Sequence, residues 1–102
     1  MILDGISVQT DELADFCRRN GIRKLALFGS ALTDRFSETS DIDLLVEFAP
    51  EEPVRYLRMA AMERELSNLF CGRKIDLKTP AELSKYFRDD VIRSASVQYA
   101  AP

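Results

Sequence analysis

Leu27 to Phe48 reads LFGSALTDRFSETSDIDLLVEF, and the fold follows from how this stretch has to lie. A Gly-Ser pair, Gly29 and Ser30, ends an apolar run. After ten intervening residues come Asp41-Ile42-Asp43 and then Leu44, Leu45 and Val46. Side chains alternate along a strand, so Asp41 and Asp43 point to one side. Apolar residues on both sides beyond Asp43 predict a central strand over Ile42 to Phe48, covered on both faces. Neighbouring carboxylates repel one another unless a cation lies between them. Oxygen donors alone suit Mg²⁺ or Mn²⁺ better than zinc. Gly29 allows the backbone to approach a ligand closely. The unpaired N–H groups of a following helix start, with the Ser30 hydroxyl, suit phosphate. The stretch reads as a phosphate cradle facing a divalent-metal clamp.

Upstream, Thr10 with Asp11 and Glu12 reads as the N-cap and acidic first turn of a helix. Leu13, Phe16 and Cys17 form its apolar face, and Asn20-Gly21 stops it. Arg23 to Phe28 is the first strand. Ser30 to Asp34 is expected as a short helix and Arg35 to Ser40 as a polar loop. Downstream, Pro53 suits a first helical position. Val54 to Phe70 then has no breaker before Cys71-Gly72, with Leu57, Ala61, Glu65 or Leu66, and Leu69 marking a face. Arg73 to Thr79 is a third strand with Ile75 and Leu77 inward, so Lys74, Asp76 and Lys78 share the other side. Ala81 to Phe87 and Asp89 to Ala95 read as short helices, and residues 95–102 as a loose tail carrying Val97 and Tyr99. This order predicts one α+β domain over residues 1–102, a small mixed or antiparallel three-stranded sheet packed with helices.

Composition narrows the chemistry. At 102 residues there is room for one core. A hydrophobic share of 46% with 30% charged residues fits a soluble globule and argues against a membrane protein. No apolar run reaches spanning length and no secretory signal is visible, so the cytoplasm is the expected compartment. The net charge of −3, with basic pairs such as Arg18-Arg19 and Arg23-Lys24 set among acids, leaves no broad face for nucleic acid. There is no histidine, which removes Ser-His nucleophiles, His-ligated zinc and imidazole bases together. Cys17 and Cys71 lie far apart with no metal-type spacing and read as buried small hydrophobes.

Gly-Ser, ten residues, then Asp-x-Asp resembles the signature of the DNA polymerase β-like nucleotidyltransferase superfamily. The short length and the continuation LLVEF are similar to its minimal nucleotidyltransferase branch, the MNT partner of HEPN/MNT toxin–antitoxin pairs. The resemblance implies catalytic and metal-ligating roles for Asp41, Asp43 and Asp76. The first two would bridge two Mg²⁺ ions (or Mn²⁺) and the third would serve the ion that activates the nucleophile. Gly29 and Ser30 would bind the β- and γ-phosphates of ATP. The implied reaction places AMP on a hydroxyl, expected to be a tyrosine, of a cognate HEPN RNase toxin held in a hetero-oligomer. The short chain leaves no room for a second acceptor-holding domain, which favours a protein acceptor over a small molecule such as an aminoglycoside.

Each residue also has a plainer reading. Asp41 alone could cap a turn, and Gly29-Ser30 could be an ordinary strand-to-helix turn. Asp76 between Lys74 and Lys78 could be a solvated charge cluster, and Arg55 and Arg58 a wet helix face. One position departs from the branch: three residues after the motif serine, where an arginine is common, this chain has Thr33. Arg35 is the nearest arginine to substitute, though a shifted register changes where its guanidinium points. Thr33 favours the alternative of an antitoxin that masks its partner by binding, with catalysis weak or lost.

Overall fold

The alternation of Ile42, Leu44 and Val46 is the seam on which the sheet is built. All three are buried in one cluster with Leu25, Leu27, Ile75 and Leu77 from the neighbouring strands. The computed structural model describes residues 2–3, 6–33, 39–51, 53 and 56–102. In chain order the elements are β1 (Ile2–Leu3), β2 (Ile6–Ser7), α1 (Thr10–Arg19), β3 (Ile22–Phe28) and β4 (Ile42–Phe48). They continue with α2 (Tyr56–Leu69), β5 (Ile75–Lys78), α3 (Arg88–Ser94) and β6 (Ser96–Ala100). Short 3-10 turns occupy Gly29–Leu32 and Pro80–Glu82.

The main sheet runs β5-β4-β3-β6. β3 is antiparallel to both β4 and β6, and β4 is parallel to β5, so the sheet is mixed within an α+β fold. It has four strands where the sequence suggests three. The added strand is Ser96–Ala100, inside the stretch expected to be a loose tail. Tyr99 pairs opposite Leu25 and packs against the core, while Val97 pairs opposite Ala26 on the other face. Those two contacts stabilise an edge strand that is too short to announce itself. A separate hairpin joins β1 to β2, and Ile6 and Val8 enter the core.

α1 and α2 pack against the inner face, α1 on β3 and α2 on β5. Leu13, Phe16 and Cys17 of α1 are buried as its periodicity predicts. The helix begins one residue earlier than the cap expected: Gln9 is the N-cap and Thr10 is already helical. Asn20 closes α1 by donating its side-chain amide to the Phe16 carbonyl at 2.9 Å, and Gly21 follows with φ +65°. Arg58 then reaches across from α2 to the Asn20 side-chain oxygen at 3.2 Å. Arg58 lies on the exposed face of α2 and ties it to the end of α1; Arg55 lies outside the described residues.

The buried face of α2 is rotated from the one expected. Met59, Met62, Leu66 and then Phe70 are buried, whereas Leu57 is 94% exposed. The spacing of three, four and four is still helical, but the two methionines open the stripe and Leu57 falls beside it. Past the end of α2, Cys71 and Gly72 both take positive φ, 58° and 81°, and the Gly72 N–H donates to the Ser67 carbonyl at 2.8 Å. This turn leaves Cys71 exposed, contrary to the buried position expected for it, while Cys17 is buried. The stretch from Ala81 to Phe87 is likewise not a helix. After Pro80–Glu82, capped reciprocally by Thr79 and Glu82, it continues as turns whose carbonyls at Pro80 and Leu83 accept from Arg88, at 2.8 and 3.0 Å. Among the described residues no helix is long and apolar enough to cross a membrane.

Candidate functional site

β4 delivers one acidic side chain directly. Asp43 lies between two buried residues, Ile42 and Leu44, but faces the side of the sheet away from α1 and α2 and is half exposed. Its antiparallel neighbour is Phe28, the last residue of β3, so the chain turns away at Gly29 right beside it. Gly29 has φ +68°, and a Cβ built there would lie 2.4 Å from Asp43 Oδ2 and 3.2 Å from its carboxyl carbon. Glycine is therefore favoured by the backbone conformation, and any larger residue would also displace the Asp43 carboxylate. Gly29 and Ser30 open the short helix expected here, which is a 3-10 turn beginning one residue earlier, at Gly29. A 3-10 turn still begins with backbone N–H groups that lack an internal partner. Arg35 lies outside the described residues; Thr33 is within them and exposed.

Asp76 arrives on β5. The parallel register places it directly opposite Asp43, with Ile42 opposite Ile75 and Leu44 opposite Leu77. Neighbouring strands are about 4.8 Å apart, so two carboxylates on one face in direct register are close neighbours. Asp41 stands just before β4, two residues ahead of Asp43 and half exposed. The backbone therefore brings Asp43, Asp76 and the Gly29 bend to one corner of the sheet, with Asp41 at its margin.

The side chains of the outer two acids point elsewhere. Asp41 Oδ2 lies 3.8 Å from Lys74 Nζ, and Asp76 Oδ1 lies 3.4 Å from Lys78 Nζ. Among the described residues no three Asp, Glu or Cys side chains are gathered closely enough to hold a metal ion as they stand. The donor chemistry nevertheless fits Mg²⁺ or Mn²⁺, being carboxylate oxygen on adjacent strands with no histidine anywhere in the chain. Completing the set requires Asp41 and Asp76 to leave their lysines. Both pairs are substantially exposed, and such pairs hold weakly.

The sequence already placed Lys74 and Lys78 on the face of Asp76, but not in contact with the acids. It gave no sign of Arg73, which donates from Nη2 to the Ser40 carbonyl at 2.8 Å, immediately ahead of Asp41. Nor did it reveal Glu63, whose carboxylate accepts the outward Leu77 N–H at 2.8 Å and so occupies part of the open edge of β5. Both contacts join positions far apart in the chain, where spacing carries no information. A groove of about 350 Å³ lies between α2 and β5, lined by Ala60, Glu63, Arg64, Ser67, Lys74 and Ile75. It shares only Lys74 with the acidic corner.

Residues 11–97 match the family described as Nucleotidyltransferase domain. Protein adenylyltransferase MntA of Thermococcus cleftensis is 31% identical over 87 residues, a match covering 85% of this chain and 85% of that protein. A Methanocaldococcus jannaschii relative, whose name marks it as a candidate protein adenylyltransferase, is 40% identical over 58 residues. That match covers 57% of this chain and 56% of the relative, so the chain spans about half of the relative's length. Among solved structures, a toxin–antitoxin crystal structure with AMP-PNP gives a TM-score of 0.71 at 17% identity, over 92% of this chain and 75% of that one. A tri-AMPylated Shewanella oneidensis HEPN toxin in complex with an MNT antitoxin gives a TM-score of 0.63 at 16% identity, over 90% and 70% of the two chains. At those identities the likeness is one of fold.

Proposed function

Because this chain belongs to the nucleotidyltransferase domain family, in its minimal branch, we propose that it transfers AMP from ATP to a tyrosine hydroxyl of a cognate HEPN-type RNase toxin and so acts as its antitoxin. The observation that carries the reading is the contact of the Gly29 bend with the Asp43 carboxylate, with Asp76 in register beside it. A phosphate-binding bend and an acidic pair meet there across one strand boundary. The relative named as a protein adenylyltransferase supports the donor and the class of acceptor. The solved toxin–antitoxin structures share the fold that presents this corner.

In this reading the acceptor oxygen attacks the α-phosphorus of ATP. The bond to the β-phosphate oxygen breaks, and pyrophosphate leaves. Gly29 and Ser30 hold the β- and γ-phosphates through backbone N–H groups and the Ser30 hydroxyl. Asp41, Asp43 and Asp76 would hold two Mg²⁺ ions, or Mn²⁺, which supply charge stabilisation at the entering and leaving oxygens. Asp76, on the edge strand β5, would serve the ion that activates the acceptor hydroxyl for loss of its proton. Arg35 is the guanidinium assigned to the triphosphate in place of the arginine absent at Thr33. The working form is a hetero-oligomer with the toxin in the cytoplasm.

A second reading is favoured by Thr33 and by the lysines paired with Asp41 and Asp76: the protein silences the toxin by binding alone. One experiment separates the two. The protein is mixed with ATP, Mg²⁺ and the HEPN protein encoded beside it, and the partner is weighed by mass spectrometry. AMP-sized additions that vanish with Asp41→Asn or Asp43→Asn are expected. Neutralisation that survives both substitutions without any added mass replaces transfer with masking.

A further inference from the structure

Asp41 stands outside the regular pairing of β4, yet the residues on both sides of it are fixed by a single dipeptide. Arg73 Nη2 donates to the Ser40 carbonyl at 2.8 Å, and the Ile42 N–H donates to the Lys74 carbonyl at 2.9 Å. Lys74 Nζ then lies 3.8 Å from the Asp41 carboxylate itself. From these contacts we infer that Arg73 and Lys74 set the metal affinity of the acidic corner in opposite directions. Arg73 is a positioning residue that keeps Asp41 within reach of the site, and Lys74 is a resident cation that competes for its carboxylate. The inference rests on the reading of Asp41, Asp43 and Asp76 as metal ligands.

The reasoning is geometric. Asp76 lies on β5 two residues after Lys74, which immediately precedes that strand, so the segment that delivers Asp76 also grips the peptide of Asp41. The separation between those two carboxylates is therefore set across β4 and β5 by Arg73. It does not depend on how the chain travels from the Gly29 bend to Ser40. Arg73 is half-buried and its guanidinium holds a carbonyl, a contact that keeps its geometry as ions come and go. Lys74 differs in kind: its side chain is 80% exposed and its ion pair is long, so a divalent cation can displace it at little cost. With Lys74 in place the acids are partly neutralised before metal arrives. Without it, repulsion at the corner rises and metal is drawn in more strongly.

The test titrates the full chain with Mn²⁺ alone by calorimetry, for wild type, R73A, R73K, K74M and D43N, with urea melts to confirm folding. R73A is expected to weaken Mn²⁺ binding about 10-fold, the lower end of what loss of a group supporting a ligand costs. R73K is expected to recover part of the loss, and K74M to tighten binding roughly 3-fold, as removal of a weak exposed ion pair allows. Should R73A not fold, R73K and K74M still carry the comparison. Binding by R73A within twofold of wild type, or weaker binding by K74M, overturns the inference. If D43N binds Mn²⁺ as wild type does, the metal-site reading beneath it fails instead; if D43N loses binding while R73A does not, only the role of Arg73 and Lys74 falls.

Discussion

On one side of β4, Ile42, Leu44 and Val46 are sealed beneath α1 and α2; on the other, Asp43 stays half exposed between a glycine bend and Asp76. The first side is held by many contacts of one kind, in which any apolar side chain of similar volume would serve. At its acidic corner the second depends on particular neighbours: Gly29 under Asp43, Lys74 beside Asp41, Lys78 beside Asp76. Stability therefore belongs to the inner side, and selectivity for a charged ligand to the outer. Substitutions on the two sides are expected to separate along that line.

The largest effect on folding is expected from Phe70→Ala, which empties a fully buried position at the end of α2. Chemical denaturation is expected to show a loss of about 3–5 kcal/mol, with the folded fraction still responding to Mg²⁺. A lost Mg²⁺ response at full foldedness would erase the division between the sides. Gly29→Ala comes next. The added Cβ collides with the Asp43 carboxylate on a backbone at φ +68°, at a cost of roughly 1–3 kcal/mol, and AMP transfer is expected to vanish as the bend moves. Retention of both stability and transfer would show that the close approach at Gly29 is incidental. Asp43→Asn is expected to leave the melting temperature in metal-free buffer unchanged or raised, since it relieves carboxylate repulsion. The rise in melting temperature on adding Mg²⁺ should disappear; a large drop without metal would make Asp43 a structural residue.

The smallest effect concerns the two thiols. Burial, only partly offset by Arg18, pushes the Cys17 thiol up to about 12, while Cys71 is exposed. Between pH about 9 and about 12 the unfolded chain gives up the Cys17 proton and the folded chain keeps it. Stability should therefore fall as pH rises through that window, and Cys17→Ala should flatten the fall. At pH 8 iodoacetamide is expected to label Cys71 quickly and Cys17 only on unfolding, as peptide mapping can follow.

Much of the inner side was legible from period alone, because burial of one strand face forces alternation and Ile42, Leu44 and Val46 obey it. The Gly29 and Asp43 placements were legible for a different reason. A turn with positive φ and an acid inside an apolar strand each demand a partner, and here they are partners of each other. What escaped reading depended on residues distant in sequence. SVQYA has only Val97 and Tyr99 to mark it as a strand, and what fixes it is the exposed side of β3. Leu57 heads α2 but belongs to no buried stripe, because Met59 and Met62 set the face. Cys71 fits a helical pattern by type, yet the left-handed turn before β5 takes it out of the helix. In the acidic corner, residue types were readable while ion pairs were not, since Lys74 and Lys78 had to choose between solvent and a carboxylate.

The pairing of β6 with β3 has a further consequence for how the protein is made. β3 joins β4 soon after both are synthesised, but its other edge stays open until Ser96 to Ala100 have left the ribosome. A nascent chain that stalls short of this strand offers an uncovered edge to proteases and to other chains.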